Sequence, residues 1–382
     1  MKNNHKPEIR FPGVTGDWKL CKLKDISKIH DGTHQTPKYK DCGVKFVSVE
    51  DINDIEASNK YISTEDYETH FKNKPEVGDI FMTRITAGII GATAVIESDD
   101  PIAYYVSLAL IKPSNKISSL FLSSYISTKE FKKELNKRII HTAFPKKINL
   151  ADIGECSVSR PSKEEQVKIG IFSKMLEDTI ALHQQELTTL KQTKRGFLQK
   201  MFPKEGESVP KVRFPGFTGD WEECKLGEIL KINSGRDYKH LQQGNIPVYG
   251  TGGYMLSVNN KLSDEDAIGI GRKGTIDNPQ LLKAPFWTVD TLFYMTTKEK
   301  NDLLFCYSLA NKIHWKKYDE STGVPSLSKS SIDKISISIP TPAEQSKIGN
   351  FFKQLDDTIA LHQRELDALK ETKKAFLQKM FV

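Results

Sequence analysis

A 37-residue segment with the pattern of a long helix occurs twice in this chain. Residues 166–202 and 345–381 are identical at 26 of 37 positions without a gap, far beyond chance agreement. In both copies apolar residues recur every three or four positions, the spacing of one face of an α-helix. None of the eleven differences between the copies falls on this stripe. The duplication therefore predicts two helices that bury equivalent faces.

Each predicted helix is roughly 55 Å long at about 1.5 Å per residue, which is more than one small domain needs. We expect the two helices to pair as an antiparallel coiled coil that also serves as a docking surface. The alternative is two ordinary amphipathic helices, each packed on its own domain. His183 and His362 lie on the stripe and are expected to be packed there. The residues predicted for inter-helix contact or partner docking are Ile169, Phe172, Leu176, Ile180, Leu187, Leu190 and Phe197, with Ile348, Phe351, Leu355, Ile359, Leu366, Leu369 and Phe376 in the second copy.

A second repeat precedes each variable stretch of sequence. Residues 10–18 read RFPGVTGDW and residues 213–221 read RFPGFTGDW. The Pro-Gly and Thr-Gly steps indicate turns, and the tryptophan is a candidate anchor for the strand that follows. The intervening residues 24–160 and 227–339 show little similarity to each other. The order is therefore repeated turn segment, variable module and helix, twice over.

This order predicts an α+β protein with a pseudo-two-fold internal repeat. Two globular mixed α/β recognition domains are expected, separated by two long antiparallel coiled-coil helices. The predicted segments are a first domain at 1–160, a central helix at 161–203, a second domain at 204–339 and a C-terminal helix at 340–382.

The composition limits the class of partner. The formal net charge is +7 and the isoelectric point is near 8.9, which suits an anionic partner without requiring one. No apolar run reaches the roughly 18 residues of a membrane span, and no signal-peptide pattern opens the sequence. We therefore expect a cytoplasmic protein that does not contact a membrane.

In the first module, short apolar runs at 44–49 and 79–84 predict strands. The loop Asp31-Gly-Thr-His-Gln-Thr-Pro-Lys-Tyr39 is dense in side chains that hydrogen-bond to bases or phosphates. A plain surface turn explains it equally well, and the turns at 84–88 and 142–149 leave the same alternatives open. The candidate DNA-binding residues here are Thr33, His34, Gln35, Lys38, Tyr39, Arg84, Lys146 and Lys147.

The second module contains a GxGxxG pattern at residues 269–274. A dinucleotide site needs a helix at that point, and Asp277-Asn-Pro279 follows too soon for one to form. A glycine-rich turn that brings Arg272 and Lys273 close to phosphate is favoured instead. The aromatic segment at 285–290 is predicted to be a core strand. The candidate DNA-binding residues of this module are Arg236, Tyr238, Lys239, His240, Tyr249, Arg272, Lys273 and Thr275.

Known catalytic motifs are missing from the sequence. It has no ATP-binding loop, no tetrapeptide of the amino-methyltransferase type, no nucleophile elbow and no metal-spaced cluster of histidine and cysteine. We therefore predict no catalytic residue and no metal ligand, and a binding or scaffolding protein is favoured.

At full length the chain resembles the DNA specificity subunit of type I restriction-modification systems. The resemblance rests on Pro161-x-x-x-Glu-Gln166 and Pro340-x-x-x-Glu-Gln345 at the helix entries, and on the loop of residues 31–39. The stretches Ile246-Pro-Val-Tyr-Gly-x-Gly-Gly253 and Arg272-Lys-Gly-Thr275 also resemble recognition modules of that family. The Asp-Gly-Thr-His loop has no counterpart in the second module, so the contacts of that module are less defined.

The resemblance implies a non-catalytic subunit that binds double-stranded DNA. Each module would read one half of a split, asymmetric target, with the helices setting the spacing. The duplicated faces would dock two methyltransferase subunits, and two restriction (motor-nuclease) subunits would complete the complex. S-adenosylmethionine, ATP and Mg would reside on those partners, leaving this chain without a cofactor. Two other classes stay open on sequence alone, an enzyme with an unrecognised active site and a purely structural coiled-coil adaptor.

Overall fold

The chain forms two compact units in the computed structural model, which describes residues 6–298 and 300–381. The first unit comprises Met1–His183 with Glu365–Val382, and the second comprises Gln184–Arg364. Each unit therefore contains one module and one half of each long helix. The predicted domain limits, which treat each helix as a separate segment, stay a prediction.

Within the described residues, the first unit contains eleven strands, four short helices and parts of two long ones. The strands are β1 (Lys19–Lys22), β2 (Ser27–Asp31), β3 (Val44–Val47), β4 (Tyr61–Ile62), β5 (Ile80–Thr83), β6 (Ile85–Thr86), β7 (Thr93–Val95), β8 (Ile102–Tyr104), β9 (Leu108–Pro113), β10 (Lys146–Lys147) and β11 (Ser157–Arg160). The helices are α1 (Thr64–His70), α2 (Ser119–Ile126), α3 (Lys129–Asn136), α4 (Leu150–Gly154) and the first half of α5 (Lys163–Lys200), with 3₁₀ turns at Leu23–Asp25, Val49–Asp51 and Ile55–Ala57.

The second unit repeats this plan with fewer elements. Its strands are β12 (Glu222–Lys225), β13 (Leu230–Ser234), β14 (Gln243–Gly250), β15 (Gly253–Val258), β16 (Ala267–Gly271), β17 (Gln280–Leu282), β18 (Trp287–Thr288), β19 (Leu292–Thr297) and β20 (Ser336–Ile339). Its helices are α6 (Leu226–Ile229), α7 (Leu303–Lys312), α8 (Lys329–Asp333) and the first half of α9 (Pro342–Lys379), with a 3₁₀ turn at Trp315–Tyr318.

The two modules share one sheet topology. The first has an antiparallel sheet of order β2-β9-β5-β7 and a sheet of order β4-β3-β8 in which β3 and β8 are parallel. The second has β13-β19-β16-β17 and β15-β14-β18, with β14 and β18 parallel. The predicted α+β class and internal repeat are confirmed. The repeat also extends through the modules, where the sequence indicated little similarity.

The central strands bury both of their faces, which explains their unbroken apolar sequence. In β9, Leu108 and Leu110 point into one core, while Ala109 and Ile111 point into the core that contains Phe121. Successive side chains of a strand face opposite sides of the sheet, so a strand between two cores must be apolar throughout. The strand β16 does the same in the second unit. It continues through Gly271, and the next helix in the described part of the chain is α7, so no helix follows the GxGxxG pattern.

An ion pair fastens each repeated turn segment to the start of a long helix. Arg10 Nε lies 2.9 Å from Glu165 Oε1, and Arg10 Nη2 lies 2.6 Å from Glu165 Oε2. Arg10 Nη1 also donates to the carbonyl of Gly16 at 2.8 Å, which closes the turn. In the second unit, Arg213 makes the same forked pair with Glu344, with both distances at 2.7 Å. We refer to each of these as the arginine–glutamate clamp.

The glutamine that follows each clamp glutamate fixes the helix to its module. Gln166 is fully buried; its Oε1 accepts from the backbone N–H of Ser118 at 2.9 Å. Gln345 accepts in the same way from the backbone N–H of Asp302 at 3.0 Å. Both glutamines donate to the carbonyl of the proline before the helix. The Glu-Gln pair therefore has a structural function. The glutamate binds the turn segment, and the glutamine binds the module.

The tryptophan of each turn segment packs against a phenylalanine two residues beyond the end of a long helix. Trp18 makes an edge contact with Phe381 at 6.1 Å between ring centres and with Phe121 at 5.7 Å. In the second unit Trp221 packs against Phe202 at 5.9 Å. Both tryptophans are buried, but these aromatic partners lie outside the strand that follows, so the predicted role as an anchor for that strand stays a prediction.

Helix halves run antiparallel within the first unit. The rings of Phe172 in α5 and Phe376 in α9 are 4.5 Å apart between centres. One turn further along α5, Glu177 pairs at 2.8 Å with Lys373, which lies one turn earlier in α9.

The second unit contains the equivalent pairing. Phe197 in α5 makes an edge contact with Phe351 in α9 at 5.1 Å, and Lys194 pairs with Asp356 at 2.5 Å. All fourteen predicted stripe residues are buried or half-buried within the chain. Their assignment to inter-helix contact or partner docking stays a prediction, but little of this face is left for a partner. Neither long helix, nor any other in the described residues, is long and apolar enough to cross a membrane.

Removal of one clamp should destabilise its unit strongly. In Arg10→Ala, the Glu165 carboxylate would keep its buried position, where it is 1% exposed, without its cation. Breaking a buried pair from one side costs about 3–5 kcal/mol, and we expect that loss in the free energy of unfolding. Urea denaturation followed by tryptophan fluorescence measures it, with Arg213→Ala as the equivalent change in the second unit. A loss below about 1 kcal/mol, the value of an exposed pair, would contradict this role.

Candidate nucleic-acid interface

The loop that follows β2 is held against β8 by its backbone. A Cβ on Gly32 would lie 2.2 Å from the carbonyl oxygen of Tyr104, so only glycine fits there. The backbone N–H of Thr33 donates to the same carbonyl at 3.1 Å, and Val106 donates to the carbonyl of Thr33 at 3.0 Å. These contacts anchor the start of the loop at residues 34–39, in which every residue except Pro37 is exposed.

The second module has a loop of the same backbone geometry. A Cβ on Gly235 would lie 1.9 Å from the carbonyl oxygen of Val289, and Arg236 N–H donates to Thr288 at 2.9 Å. Ser234-Gly-Arg236 therefore corresponds to Asp31-Gly-Thr33. The Asp-Gly-Thr-His motif is missing from the second module, but the loop position is present with other side chains.

Arg84 is a buried residue that connects three loops. Its Nη1 donates to the carbonyl of Val106 at 3.2 Å and its Nε to that of Ile148 at 3.3 Å. Asp31 Oδ2 lies 3.8 Å from Arg84 Nη1. Burial lowers the pKa of the Arg84 guanidinium, and the charge of Asp31 acts in the opposite direction. This geometry suits support of the loops better than direct contact with DNA.

The first module has a first loop at residues 31–39, a second at 84–88 and a third at 142–149. The third loop is a hairpin that lies beside the second loop, which begins at Arg84. The strands β6 and β10 pair with Lys146 opposite Thr86 and Lys147 opposite Ile85. The backbone N–H of Ile148 donates to the carbonyl of Arg84 at 3.0 Å. The two predicted turns at 84–88 and 142–149 are therefore adjacent.

The same pair of turns exists in the second module. Lys273 is bridged to Ser326, and Gly274 N–H donates to the carbonyl of Pro325 at 2.8 Å. Leu327 donates to the carbonyl of Arg272 at 2.9 Å, as Ile148 does to Arg84. The turn at 321–325 was missed in the sequence. Its signal was the short match between Thr142-Ala-Phe-Pro and Thr322-Gly-Val-Pro.

Each module thus gathers three loops at one edge, and most predicted contact residues are on them. Arg84 is buried. Thr33, Tyr238 and Tyr249 are half-buried, and the exposed candidates are His34, Gln35, Lys38, Tyr39, Lys146, Lys147, Arg236, Lys239, His240, Arg272, Lys273 and Thr275. Exposed guanidinium, ammonium, amide and imidazole groups are the donors and acceptors that read base edges and phosphates.

Some of the exposed side chains are held in place by their neighbours. His34 Nε2 is 2.8 Å from the carboxylate of Asp31. The guanidinium of Arg272 lies 5.7 Å from the centre of the Phe293 ring, a cation–π contact. Such contacts reduce the side-chain entropy that is lost when a ligand binds.

A basic groove of about 790 Å³ adjoins the third loop of the first module. Its apolar floor includes Ile90, Leu135 and Leu377. Seven lysines and no carboxylate are among its described lining residues, and although Lys373 pairs with Glu177 and Lys374 with Glu371, the excess of lysine makes the groove attractive to polyanions. The lysines are Lys129, Lys132, Lys133, Lys146, Lys370, Lys373 and Lys374. Of these lysines only Lys146 is a DNA contact predicted from the sequence, because the others meet it only in the folded unit.

Comparisons with known proteins identify the family. A family model described as the type I restriction modification DNA specificity domain matches residues 15–192 and again 218–371. The chain therefore belongs to this family, with one match for each half of its repeat.

Similar proteins of the same description cover nearly the whole chain. A Methanocaldococcus jannaschii protein assigned as the MjaX specificity subunit of a type I restriction enzyme is 24% identical over 95% of this chain and 92% of its own length. The MjaVIII specificity subunit of the same organism is 23% identical over 57% of this chain and 59% of its own length. The crystal structure of a type I restriction-modification S subunit from M. genitalium has the same fold, with a TM-score of 0.73 at 16% identity over 99% of both chains.

Family membership defines the chain as a specificity subunit, a DNA-recognition protein without catalysis of its own. Its partners are DNA and other subunits of a type I restriction-modification complex. The enzyme and the purely structural adaptor are therefore set aside.

Two arginines at equivalent positions should respond differently to alanine substitution. Arg84→Ala should lower the melting temperature, because the buried carbonyl of Ile148 and the part-buried carbonyl of Val106 lose their donor. Arg272→Ala should lower stability by no more than about 1 kcal/mol, since its exposed side chain loses only the cation–π contact with Phe293. It should weaken DNA binding by roughly 1–3 kcal/mol for a base contact, or reduce the salt dependence by about one charge for a phosphate contact. Thermal denaturation and fluorescence anisotropy over a salt series measure these effects. Unchanged binding of Arg272→Ala at every salt concentration would remove Arg272 from the interface.

Proposed function

We propose that this chain reads a split, asymmetric DNA target, with one half-site for each module. The proposal rests on one observation: the two modules share a sheet topology and loop positions, but the side chains on their loops differ. Gly32 and Gly235 occupy equivalent positions, yet the side chains that follow them differ. The same loop backbone therefore presents a different set of hydrogen-bond donors and acceptors in each module, which suits two different half-sites.

The chemistry of the exposed side chains favours different bases in the two half-sites. Gln35 in the first module is suited to the N6 and N7 edge of adenine. Arg236 and Arg272 in the second module are suited to the O6 and N7 edge of guanine, where a planar fork makes two hydrogen bonds. We therefore expect at least one guanine contact in the second half-site.

The basic groove of the first unit supports a phosphate path beside the recognition loops. Lys129, Lys132 and Lys133 are exposed on α3, and Lys370 and Lys374 are exposed on α9. Contacts of this kind position the duplex and carry no sequence information. A duplex seated here would receive both kinds of contact from one unit.

The long helices would set the distance between the half-sites. Each is 38 residues long, about 57 Å at 1.5 Å per residue. The clamps and the buried glutamines fix each module to its helices, so the helix length would be transmitted to the DNA. The number of base pairs between the half-sites would follow from that length.

Two methyltransferase subunits would dock on each chain, through outward faces of the helices, because the duplicated stripe is already buried. Exposed apolar residues recur on α5 at Val167, Ile171, Met175 and Leu182, with exposures of 40–62%. At the first three of these positions the second copy has serine, asparagine and glutamine. The two docking sites would therefore differ in affinity. S-adenosylmethionine, ATP and Mg would be bound by the partner subunits, together with two restriction subunits in the full complex.

Exchange of one module tests the reading of half-sites. Replacement of residues 24–160 by the same region of a related specificity subunit should change one half of the methylated target and leave the other unchanged. The physical reason is that each set of three loops is carried by its own unit. Methylation-sensitive sequencing of the host genome gives the result. A change in both halves would contradict independent recognition.

The stoichiometry has a test with a matched control. Native mass spectrometry of the complex at saturating methyltransferase should give two methyltransferase subunits per chain. Met175→Glu places a charge on the apolar face of α5 and should weaken one of the two sites by at least tenfold. Gln354→Glu is the equivalent change on α9 and should leave both sites occupied. A stable one-to-one wild-type complex would contradict the proposal.

A further inference from the structure

Phe144 has the most exposed side chain among the large apolar residues of the described chain, at 93%. It lies at the tip of the third loop of the first module, between Ala143 and Pro145. Two exposed lysines, Lys146 and Lys147, follow it directly. Removing an exposed aromatic ring from water lowers the free energy. A ring held at the tip of a recognition loop therefore favours binding of a ligand that buries it.

The hairpin holds this tip in a defined position. Ile140 N–H donates to the carbonyl of Lys147 at 2.8 Å, and Ile148 N–H donates to the carbonyl of Arg84 at 3.0 Å. Lys146 pairs with Thr86, and the turn that follows Thr86 carries Ile89, which is 69% exposed. Two adjacent turns therefore present two apolar side chains to solvent, and backbone hydrogen bonds fix the base of the loop that carries Phe144.

The second module repeats the arrangement with a smaller side chain. Val324 precedes Pro325 as Phe144 precedes Pro145, and it is 56% exposed. Gly274 N–H holds its loop through the carbonyl of Pro325. Apolar tips at the same place in two modules of little sequence similarity indicate a common use.

The residues around the Phe144 tip favour one kind of ligand. No carboxylate occurs between His141 and Lys147, and the lysine-lined groove begins at Lys146. A ligand that complements both the lysines and the apolar Phe144 ring has an anionic surface and an apolar interior. Duplex DNA has phosphates outside and stacked bases inside, and apolar side chains of DNA-binding proteins insert between base steps and kink the duplex.

We propose that Phe144 is a wedge that enters a base step of the first half-site, and that Val324 makes a smaller contact of the same kind in the second. The proposal rests on the proposed function, since it assigns a role within one half-site. The inserted ring would partly unstack one step, with Lys146 and Lys147 on the flanking phosphates. Specificity would then include the ease with which that step is deformed, in addition to its base edges.

The test uses the full chain in complex with its methyltransferase subunit and duplexes that carry 2-aminopurine at successive positions of the mapped target. Wild type should raise the 2-aminopurine fluorescence at one step of the first half-site, because unstacking relieves quenching. Phe144→Ala should lose that rise and bind roughly 5- to 100-fold more weakly, the range that loss of one base–aromatic contact covers. Its salt dependence should equal that of wild type, because no charge has changed. Lys147→Ala is the converse control, with a reduced salt dependence and the fluorescence rise retained.

Folding does not confound this comparison, because the Phe144 side chain is almost fully exposed and its removal should leave the melting temperature unchanged. Val324→Ala should affect only the second half-site. If Phe144→Ala kept the fluorescence and the affinity of wild type, the proposed insertion of Phe144 would be wrong, whereas the proposal that each module reads one half-site would stand. Loss of methyltransferase from the complex, with DNA contacts unchanged, would also overturn the proposed insertion and assign the tip to a protein contact. Absence of target-specific binding by wild type would overturn both the wedge and the proposed function.

Discussion

The forked ion pair between Arg10 and Glu165, with its counterpart between Arg213 and Glu344, is the interaction on which the rest of each unit depends. Both glutamates are almost inaccessible, so each needs two hydrogen bonds from one guanidinium to offset the loss of water. The adjacent glutamine is bonded to the module instead. The turn segment, the module and the helix are thereby fixed to one another, and the recognition loops take their orientation from the helix.

Much of this architecture could be predicted because duplication leaves a signal that does not depend on folding. The unchanged stripe indicated two helices with equivalent faces, and the runs at 44–49 and 79–84 indicated strands, which are β3 and β5 in the structure. The aromatic segment at 285–290 was correctly predicted as core, since Trp287 is 4% exposed. Local periodicity and turn chemistry carry this information within a few residues.

The rest could not be predicted because it depends on contacts between distant segments. Arg84 looked like a phosphate ligand beside a glycine-bearing turn, but its partners are carbonyls 22 and 64 residues away in sequence. The common topology of the modules was hidden because a sheet constrains which faces are apolar and leaves the residue types free. Phe144 was overlooked because a lone aromatic residue in a sequence is usually core. The basic groove required α3 and α9 to meet before it existed.

The most direct test of the account is a lengthening of both long helices. Four residues inserted between Thr188 and Thr189, and four between Ile359 and Ala360, would preserve the antiparallel register read from Phe197 and Phe351. The insertion adds about 6 Å and rotates one module by about 40°. One added base pair, with a rise of about 3.4 Å and a rotation of roughly 34°, matches that rotation best. Methylated-site mapping should therefore show unchanged half-sites with one more base pair between them, or at most two. Full methylation at the original spacing would contradict the claim that the helices set the distance.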